Sequence, residues 1–316
     1  LLPLGSINQR KIEAKEPLVD IIKNTLKTNK IKTKACALYL SASDLIVREL
    51  TFPKMEDIHI RENIKQEISS MLPQDHDDYY IDYKIIEYIK DKDEEEGRFR
   101  VLATAAPKRL IHDYVKVLKE AGLKVQYIDV LPNIAGKLCQ IHDKENKNEE
   151  VKNLCIIDFG AKKIEIVILQ EGNYSLHKTI NYGGEYLTTV IANETGMDEI
   201  DGEYYKCKTN FFNGKESDSV VKGVYNYFDY LISDFQRTIE FYNNRSSQQI
   251  DRIYIMGGAS LLKGLPEYLE SQLSIEVKKI DEIFTDFKKV SELGRHISIF
   301  PQAIGATFRE EWKYER

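Results

Sequence analysis

Three short stretches of this sequence carry residues whose types and spacing can do chemistry. In the first, the apolar run Cys155-Ile156-Ile157 leads into Asp158-Phe159-Gly160-Ala161-Lys162-Lys163. A tight turn there exposes backbone N–H groups, which can hold phosphate oxygens. An Asp at the strand end can hold Mg2+ through its waters. Asp and Gly at a hairpin tip are equally ordinary turn chemistry. In the second, Ile253 to Met256 runs straight into Gly257-Gly258-Ala259-Ser260 and then a helix. Glycine lets backbone approach a ligand closely, and a helix start favours anions. This is neither a Walker A loop nor a G-x-G-x-x-G fingerprint. In the third, Glu203 and Lys206 lie three apart, so they share a helix face. They could bond ribose hydroxyls and an adenine edge, or simply pair with each other at the surface.

The elements that must position these residues follow from periodicity. Leu18 to Leu26 reads as a helix, Ala35 to Leu40 and Asp44 to Phe52 as strands, and Glu56 to Leu72 as a helix stopped by Pro73. Tyr79 to Ile89 alternates, and Arg98 to Ala105 is the returning strand after the charged loop Asp91 to Gly97, whose Glu94-Glu95-Glu96 reads as a solvated hairpin tip. Pro107 to Ala121 is a helix and Lys124 to Val130 a strand, so 35–130 reads ββ-α-ββ-α-β. Asp143 to Lys152 is polar and aperiodic, a linker. Leu154 to Ile157, Ile164 to Leu169 and Tyr174 to Ile180 are strands, and Gly183-Gly184 opens a helix over Glu185 to Thr195. Val224 to Tyr242 is a long core helix, Ile253 to Met256 a buried strand, Leu265 to Leu273 a helix, and Gln302 to Trp312 the last helix.

Composition narrows the classes. The chain has 316 residues, 42% hydrophobic and 30% charged, with a net charge of -6. That balance offers no general attraction to nucleic acid or anionic membrane. No apolar run reaches the roughly 18 residues of a membrane span, so no direct membrane insertion is expected. Leu1 to Gly5 does not read as a signal peptide, and Leu1 to Ser6 reads equally as native sequence or a tag scar. Cys36, Cys139, Cys155 and Cys207 lack Cys-x-x-Cys spacing and are expected to be buried free thiols, in keeping with a reducing cytoplasm. The six histidines show no metal-ligand spacing, and no structural zinc is expected. No G-x-S-x-G elbow or acid/base pair emerges, so no residue is assigned a catalytic role.

The order of these pieces carries more than each alone. An Asp-Phe-Gly hairpin, a glycine-opened helix, a Glu/Lys helix, a long helix and a strand–Gly-Gly-Ala turn together resemble the actin and FtsA superfamily of ATP-binding proteins. The N-terminal half narrows this: Ile46-Val47-Arg48-Glu49-Leu50-Thr51-Phe52-Pro53, Ile64-Lys65-Gln66-Glu67-Ile68 with Met71-Leu72-Pro73, and Ile81-Asp82-Tyr83 are similar to strands and a helix of the PilM family of type IV pilus assembly proteins. Phe300-Pro301-Gln302-Ala303-Ile304-Gly305-Ala306 resembles that family's last segment.

The resemblance implies an α/β, actin-like (ribonuclease H-like) two-domain fold with an FtsA/PilM-type inserted subdomain. Residues 1–34, 131–153 and 301–316 would form the first domain and 35–130 the insertion. Residues 154–195 and 251–300 would form the second sheet domain, with 196–250 as its helical attachment. It implies ATP in the interdomain cleft, held by Asp158, Phe159, Gly160, Ala161, Lys162, Gly183, Gly184, Glu203, Lys206, Gly257, Gly258 and Ala259, with Mg2+ held by Asp158 through water. The implied partners are the cytoplasmic N-terminal peptide of the inner-membrane protein PilN and other pilus assembly proteins, which places the chain in the cytoplasm at the inner face of the membrane and links it to bacterial motility. An FtsA-like or actin-like filament protein is the alternative, although Glu310 to Arg316 is too polar for a membrane-targeting helix. A sugar or acetate kinase is a third and weaker reading. Two departures matter. Nothing in Leu1 to Leu40 supplies the D-x-G hairpin that opens these families, and Gly5-Ser6-Ile7 looks like the segment that follows it. Ile164 stands where Thr is usual. The expectation is reduced nucleotide affinity and at most a weak ATPase.

Overall fold

Alternation and helical periodicity translate directly into the elements of the computed structural model, which describes residues 6–8, 11–41, 45–73, 75–90, 97–145, 151–214, 218–284 and 296–308. The chain divides into two compact units, Leu1–Leu131 and Pro132–Arg316.

In the first unit, β1 (Ile7–Asn8) and β2 (Lys11–Ile12) pair antiparallel and lead into α1 (Lys15–Thr28). β3 (Ala35–Leu40) pairs in parallel with β7 (Lys124–Val130). Between them in sequence lie β4 (Ile46–Pro53), α2 (Asp57–Ser69), β5 (Tyr79–Ile89), β6 (Arg98–Pro107) and α3 (Lys108–Glu120). The ββ-α-ββ-α-β order is therefore as read. β4, β6 and β5 form an antiparallel sheet with β6 in the centre. Its apolar face packs Tyr79, Val101, Ala103 and Ala105 against Ile60, Ile64 and Ile68 of α2. On β6, Arg100 bonds Glu49 of β4 at 3.1 Å and also pairs with Glu87 of β5. Such cross-strand charge pairs add to sheet pairing. Leu18 and Val19 of α1 pack with Val117 and Ala121 at the end of α3.

The second unit is built on one five-stranded sheet. Its strands are β8 (Asn153–Phe159), β9 (Ile164–Gln170), β10 (Asn173–Ile180), β11 (Arg252–Met256) and β12 (Glu276–Lys279), in spatial order β10-β9-β8-β11-β12. β8, β9 and β10 are an antiparallel meander, whereas β11 runs parallel to both β8 and β12. Every residue of β8 and β11 is buried, as unbroken apolar strands require when both faces are covered. The helices are α4 (Leu131–Glu145), α5 (Gly184–Thr195), α6 (Glu199–Lys208), α7 (Ser219–Ser246) and α8 (Leu265–Leu273), followed by the short α9 (His296–Ile299) and α10 (Pro301–Gly305). α7, at 28 residues, lays Val224, Phe228, Leu231, Phe235 and Ile239 into the same core as Ile157, Phe159, Ile164 and Ile255.

Several expectations change. Helix α4 was not read from the sequence, and it runs into the start of the expected linker; 146–150 lie outside the described residues. β12 was also missed. The last helix spans only Pro301–Gly305 before a turn, and 309–312 of the longer expected helix lie outside the described residues, as do Leu1 to Gly5, Glu94 to Glu96 and Glu310 to Arg316. All four cysteines are free, but only Cys139 and Cys155 are buried; Cys36 is half-buried and Cys207 exposed. Cys36 and Cys207 stand where only part of the side chain meets other elements, which a lone Cys in sequence does not reveal. Among the described residues, no helix is long and apolar enough to cross a membrane.

Candidate functional site

The β8–β9 hairpin fixes the first group. Register pairs Phe159 with Ile164, leaving 160–163 as the turn, and sets Asp158 opposite Glu165. Asp158 is 8% exposed, and its Oδ2 accepts a hydrogen bond from Gln302 Nε2 of α10 at 2.6 Å. Burial, and then the charge of Glu165, push the Asp158 carboxyl up to about 7, against the Gln302 bond and the Lys163 ammonium. Glu165 goes the other way. Burial alone would raise it, but His177 at 3.3 Å and Lys163 at 2.9 Å bring it down to about 2.

The start of α5 fixes how the turn faces. Gly184 N–H donates to the Gly160 carbonyl at 2.9 Å, and Glu185 N–H donates to the Ala161 carbonyl at 2.8 Å. The first amides of α5 are thus spent on the hairpin and are not presented to an anion. A Cβ on Gly183 would collide with the Ala161 carbonyl, so only glycine permits this approach. A trans peptide holds its C=O and the next N–H on opposite sides. With the Gly160 and Ala161 carbonyls aimed at α5, the amides of Ala161 and Lys162 must point away from it. Tyr227 of α7 braces the joint, its hydroxyl donating to the Gly183 carbonyl at 3.2 Å.

Lys206 on α6 is 5% exposed, and its ammonium donates to Gly184 O at 3.0 Å, Thr188 Oγ1 at 2.7 Å and Glu203 Oε2 at 2.5 Å. Two of its bonds, to Gly184 and Thr188, tie α6 to α5, and the third stays within α6. Glu203 shares Oε2 with Thr188 and Lys206, and its side chain remains about half exposed (52%). Of the Glu203/Lys206 pair, only Glu203 faces solvent.

After β11 the chain turns at Gly257, with φ 88, and its N–H donates to the Ser298 carbonyl at 2.7 Å. A Cβ here would stand 2.5 Å from Asp158 Oδ1, so this turn and the hairpin are in van der Waals contact. Ser260 closes the turn through Oγ to the Gly257 carbonyl at 2.7 Å. A Cβ on Gly258 would meet nothing within 4 Å, and one on Gly184 would stand 3.4 Å from Ala259 Cβ. The hairpin, the start of α5 and the Gly257 turn are therefore one cluster.

Asp158, Gly160, Ala161, Gly183, Gly184, Lys206, Gly257 and Ala259 lie within this cluster. Phe159 sits in the core edge-to-face on Phe235 and holds the hairpin from beneath. Among the described residues, the amides of Ala161, Lys162, Gly258 and Ala259 bond no backbone carbonyl. Two amides that point away from α5, on the hairpin, and two on the adjoining turn that bond no backbone carbonyl, those of the exposed Gly258 and the buried Ala259, suit an anionic phosphate. The fit of Asp158 to Mg2+ is poor, since the carboxylate is turned inward and already accepts an amide. Thr188, Tyr227, Ser298, Glu165 and Gln302 complete the cluster and were not singled out from the sequence. Gln302 was visible only as part of the terminal Phe-Pro-Gln-Ala-Ile-Gly segment. A separate cavity of about 450 Å3, lined by Glu267, Glu270, Glu276 and Lys278 among others, contains none of the candidate residues.

Comparison with known proteins follows the same lines. The sequence profile of the family described as type IV pilus assembly protein PilM matches residues 1–310. A solved PilM-PilN type IV pilus biogenesis complex is similar to this chain with a TM-score of 0.78 at 20% identity, covering 96% of this chain and 88% of that one. MreB 5 of Spiroplasma citri bound to AMPPNP is similar with a TM-score of 0.51 at 12% identity, covering 93% and 79%. At these identities the likenesses establish the actin-like fold expected from the sequence. No curated protein sequence matches the chain.

Proposed function

Because this chain belongs to the type IV pilus assembly PilM family, we propose that it is an actin-like scaffold of the pilus assembly machinery that binds ATP at the clustered turns. The observation that carries this reading is the set of amides at Ala161, Lys162, Gly258 and Ala259 that bond no backbone carbonyl. Backbone donors of this kind bind phosphate oxygens without needing a charged side chain. α5 stands behind the hairpin with the positive end of its dipole toward it, which adds to the attraction for negative charge. Lys162 adds a cation on the turn itself. Glu203, half exposed on α6, is left to accept from ribose hydroxyls.

The partner proposed is the N-terminal tail of a PilN protein, in keeping with the similar PilM-PilN complex. Through it the chain would stand at the inner face of the membrane, in the cytoplasm, with other pilus assembly proteins. An extended peptide laid along a sheet edge or groove is a physically reasonable mode for such a tail. The four-part division into a first domain, an inserted subdomain, a second sheet domain and its helical attachment belongs to the same proposal. No residue is proposed as a general base, so any ATP turnover is slow.

Gly258 provides the test, because its neighbourhood is open and its φ is ordinary. A valine there fills the space over the turn without straining the fold. Calorimetric titration with ATP should show binding to the wild-type chain and at least about a tenfold weaker Kd for Gly258→Val, a loss of about 1.4 kcal/mol. Equal affinities in a folded variant would remove the turn from the site.

A further inference from the structure

We infer that this site takes the phosphates of a nucleotide without a divalent cation, and that Asp158 acts as a latch for Gln302 rather than as a metal-associated acid. The inference rests on the nucleotide reading above and deepens it.

Mg2+ keeps several waters and needs a carboxylate whose oxygens those waters can reach. Asp158 does not offer this. It is 8% exposed, its Oδ2 accepts from Gln302 Nε2 at 2.6 Å, and its Oδ1 lies against the backbone of Gly257. The neighbouring acid is no more available. Glu165 has a side chain 7% exposed, with Oε1 on His177 at 3.3 Å and Oε2 on Lys163 at 2.9 Å. The third acid of the cluster, Glu203, has its Oε2 held by Lys206 and Thr188, and its half-exposed carboxylate is the group assigned above to the ribose.

Positive charge is instead built into the chain. The Lys163 ammonium, with its side chain 14% exposed, lies on Glu165 and close enough to Asp158 to favour its charged form. A dication beside Asp158 would add to the positive charge the Lys163 ammonium already supplies there, and like charges repel more in a partly buried site than in water. Phosphate oxygens, by contrast, would meet amides at 161, 162, 258 and 259 that bond no backbone carbonyl, and the exposed Lys162 on the hairpin turn.

Asp158 has another use. Gln302 belongs to α10, and Ser298 just before it accepts the Gly257 amide. Residues 298–302 therefore hold both turns, Asp158 through its side chain and Gly257 through its backbone. The carboxylate ties the terminal segment to the site.

The test is calorimetric titration of the full chain with ATP in Mg2+ and in EDTA, for the wild type and for Asp158→Asn, whose amide oxygen still accepts from Gln302. The expected result is that all four Kd values agree within about threefold. A loss of about tenfold or more in EDTA overturns the inference while leaving the nucleotide reading intact. If Asp158→Asn alone shows that loss in Mg2+, Asp158 is metal-associated and the latch assignment falls. Absence of ATP binding to the wild type in either buffer removes the nucleotide reading, and this inference with it.

Discussion

Asp158 and Glu165 face each other across one strand pair and titrate in opposite directions, because Asp158 is buried beside the Glu165 charge while Glu165 is hydrogen-bonded to His177 and paired with the Lys163 ammonium. The consequence for stability can be worked out. The folded chain holds the Asp158 proton to about 7, whereas an unfolded chain releases it near the ordinary value of 3.8. Where the folded state binds more protons, stability falls as pH rises. The contribution is thus fully present below pH 4 and is lost by pH 7 to 8. Asp158→Asn cannot titrate, so between pH 4 and pH 8 its stability should improve relative to wild type by about 4 kcal/mol, several degrees in Tm. Thermal melts across that range check this, and parallel pH slopes for the two proteins would refute it. Glu165 works in the other sense, supplying stability that is lost as pH falls toward 2. Sequence alone could point to Asp158 by its place at a strand end. It could not reveal Gln302, because that hydrogen bond joins residues 144 apart in sequence.

The joint between the hairpin and α5 is the element that orients the Asp-Phe-Gly turn at the proposed phosphate site. Two backbone bonds from α5 orient the turn, and Gly183 is the position that lets them form. Gly183→Ala should separate α5 from the hairpin and destabilise the chain by about 2–3 kcal/mol, because both the bonds and the packing are disturbed. Urea unfolding measures this, and a change under about 0.5 kcal/mol would show that the joint gives way without cost. At this scale much was legible. α7 and the β8–β9–β10 meander announce themselves through apolar stripes of helical and strand period. α4 escaped although Leu131, Ile134, Ala135, Leu138 and Cys139 sit at helical spacing and are buried. It contains Pro132 and Gly136, which weaken a helical pattern, yet Pro is tolerated in a first helical turn. β12 escaped because four residues with three charges look like loop, and only pairing with β11 makes them a strand. The Glu203/Lys206 pair was found by spacing, but that Lys206 turns inward depends on α5 packing over it, which spacing cannot say.

For the whole molecule, family membership and the actin-like fold agree with the reading taken from motif order, while the site is defined by contacts among turns far apart in sequence. That order was legible because each glycine turn follows a strongly apolar strand. What stayed illegible was which backbone groups remain unpaired, since that depends on every neighbouring element at once. On the scaffold role proposed, the chain should bind a synthetic peptide of its cognate PilN tail with a Kd in the range of about 1–100 μM, and no binding at the top of that range would count against the partner proposed. ATP at the proposed site would cover the backbone amides of two clustered turns. Backbone amide hydrogen exchange followed by NMR, with and without ATP, tests it most directly. The amides of Ala161, Lys162, Gly258 and Ala259 should slow by about tenfold or more, while those of Gly184 and Glu185, already bonded to carbonyls, change little. Slowing confined to other segments, with these four amides unaffected at saturating ATP, would contradict it.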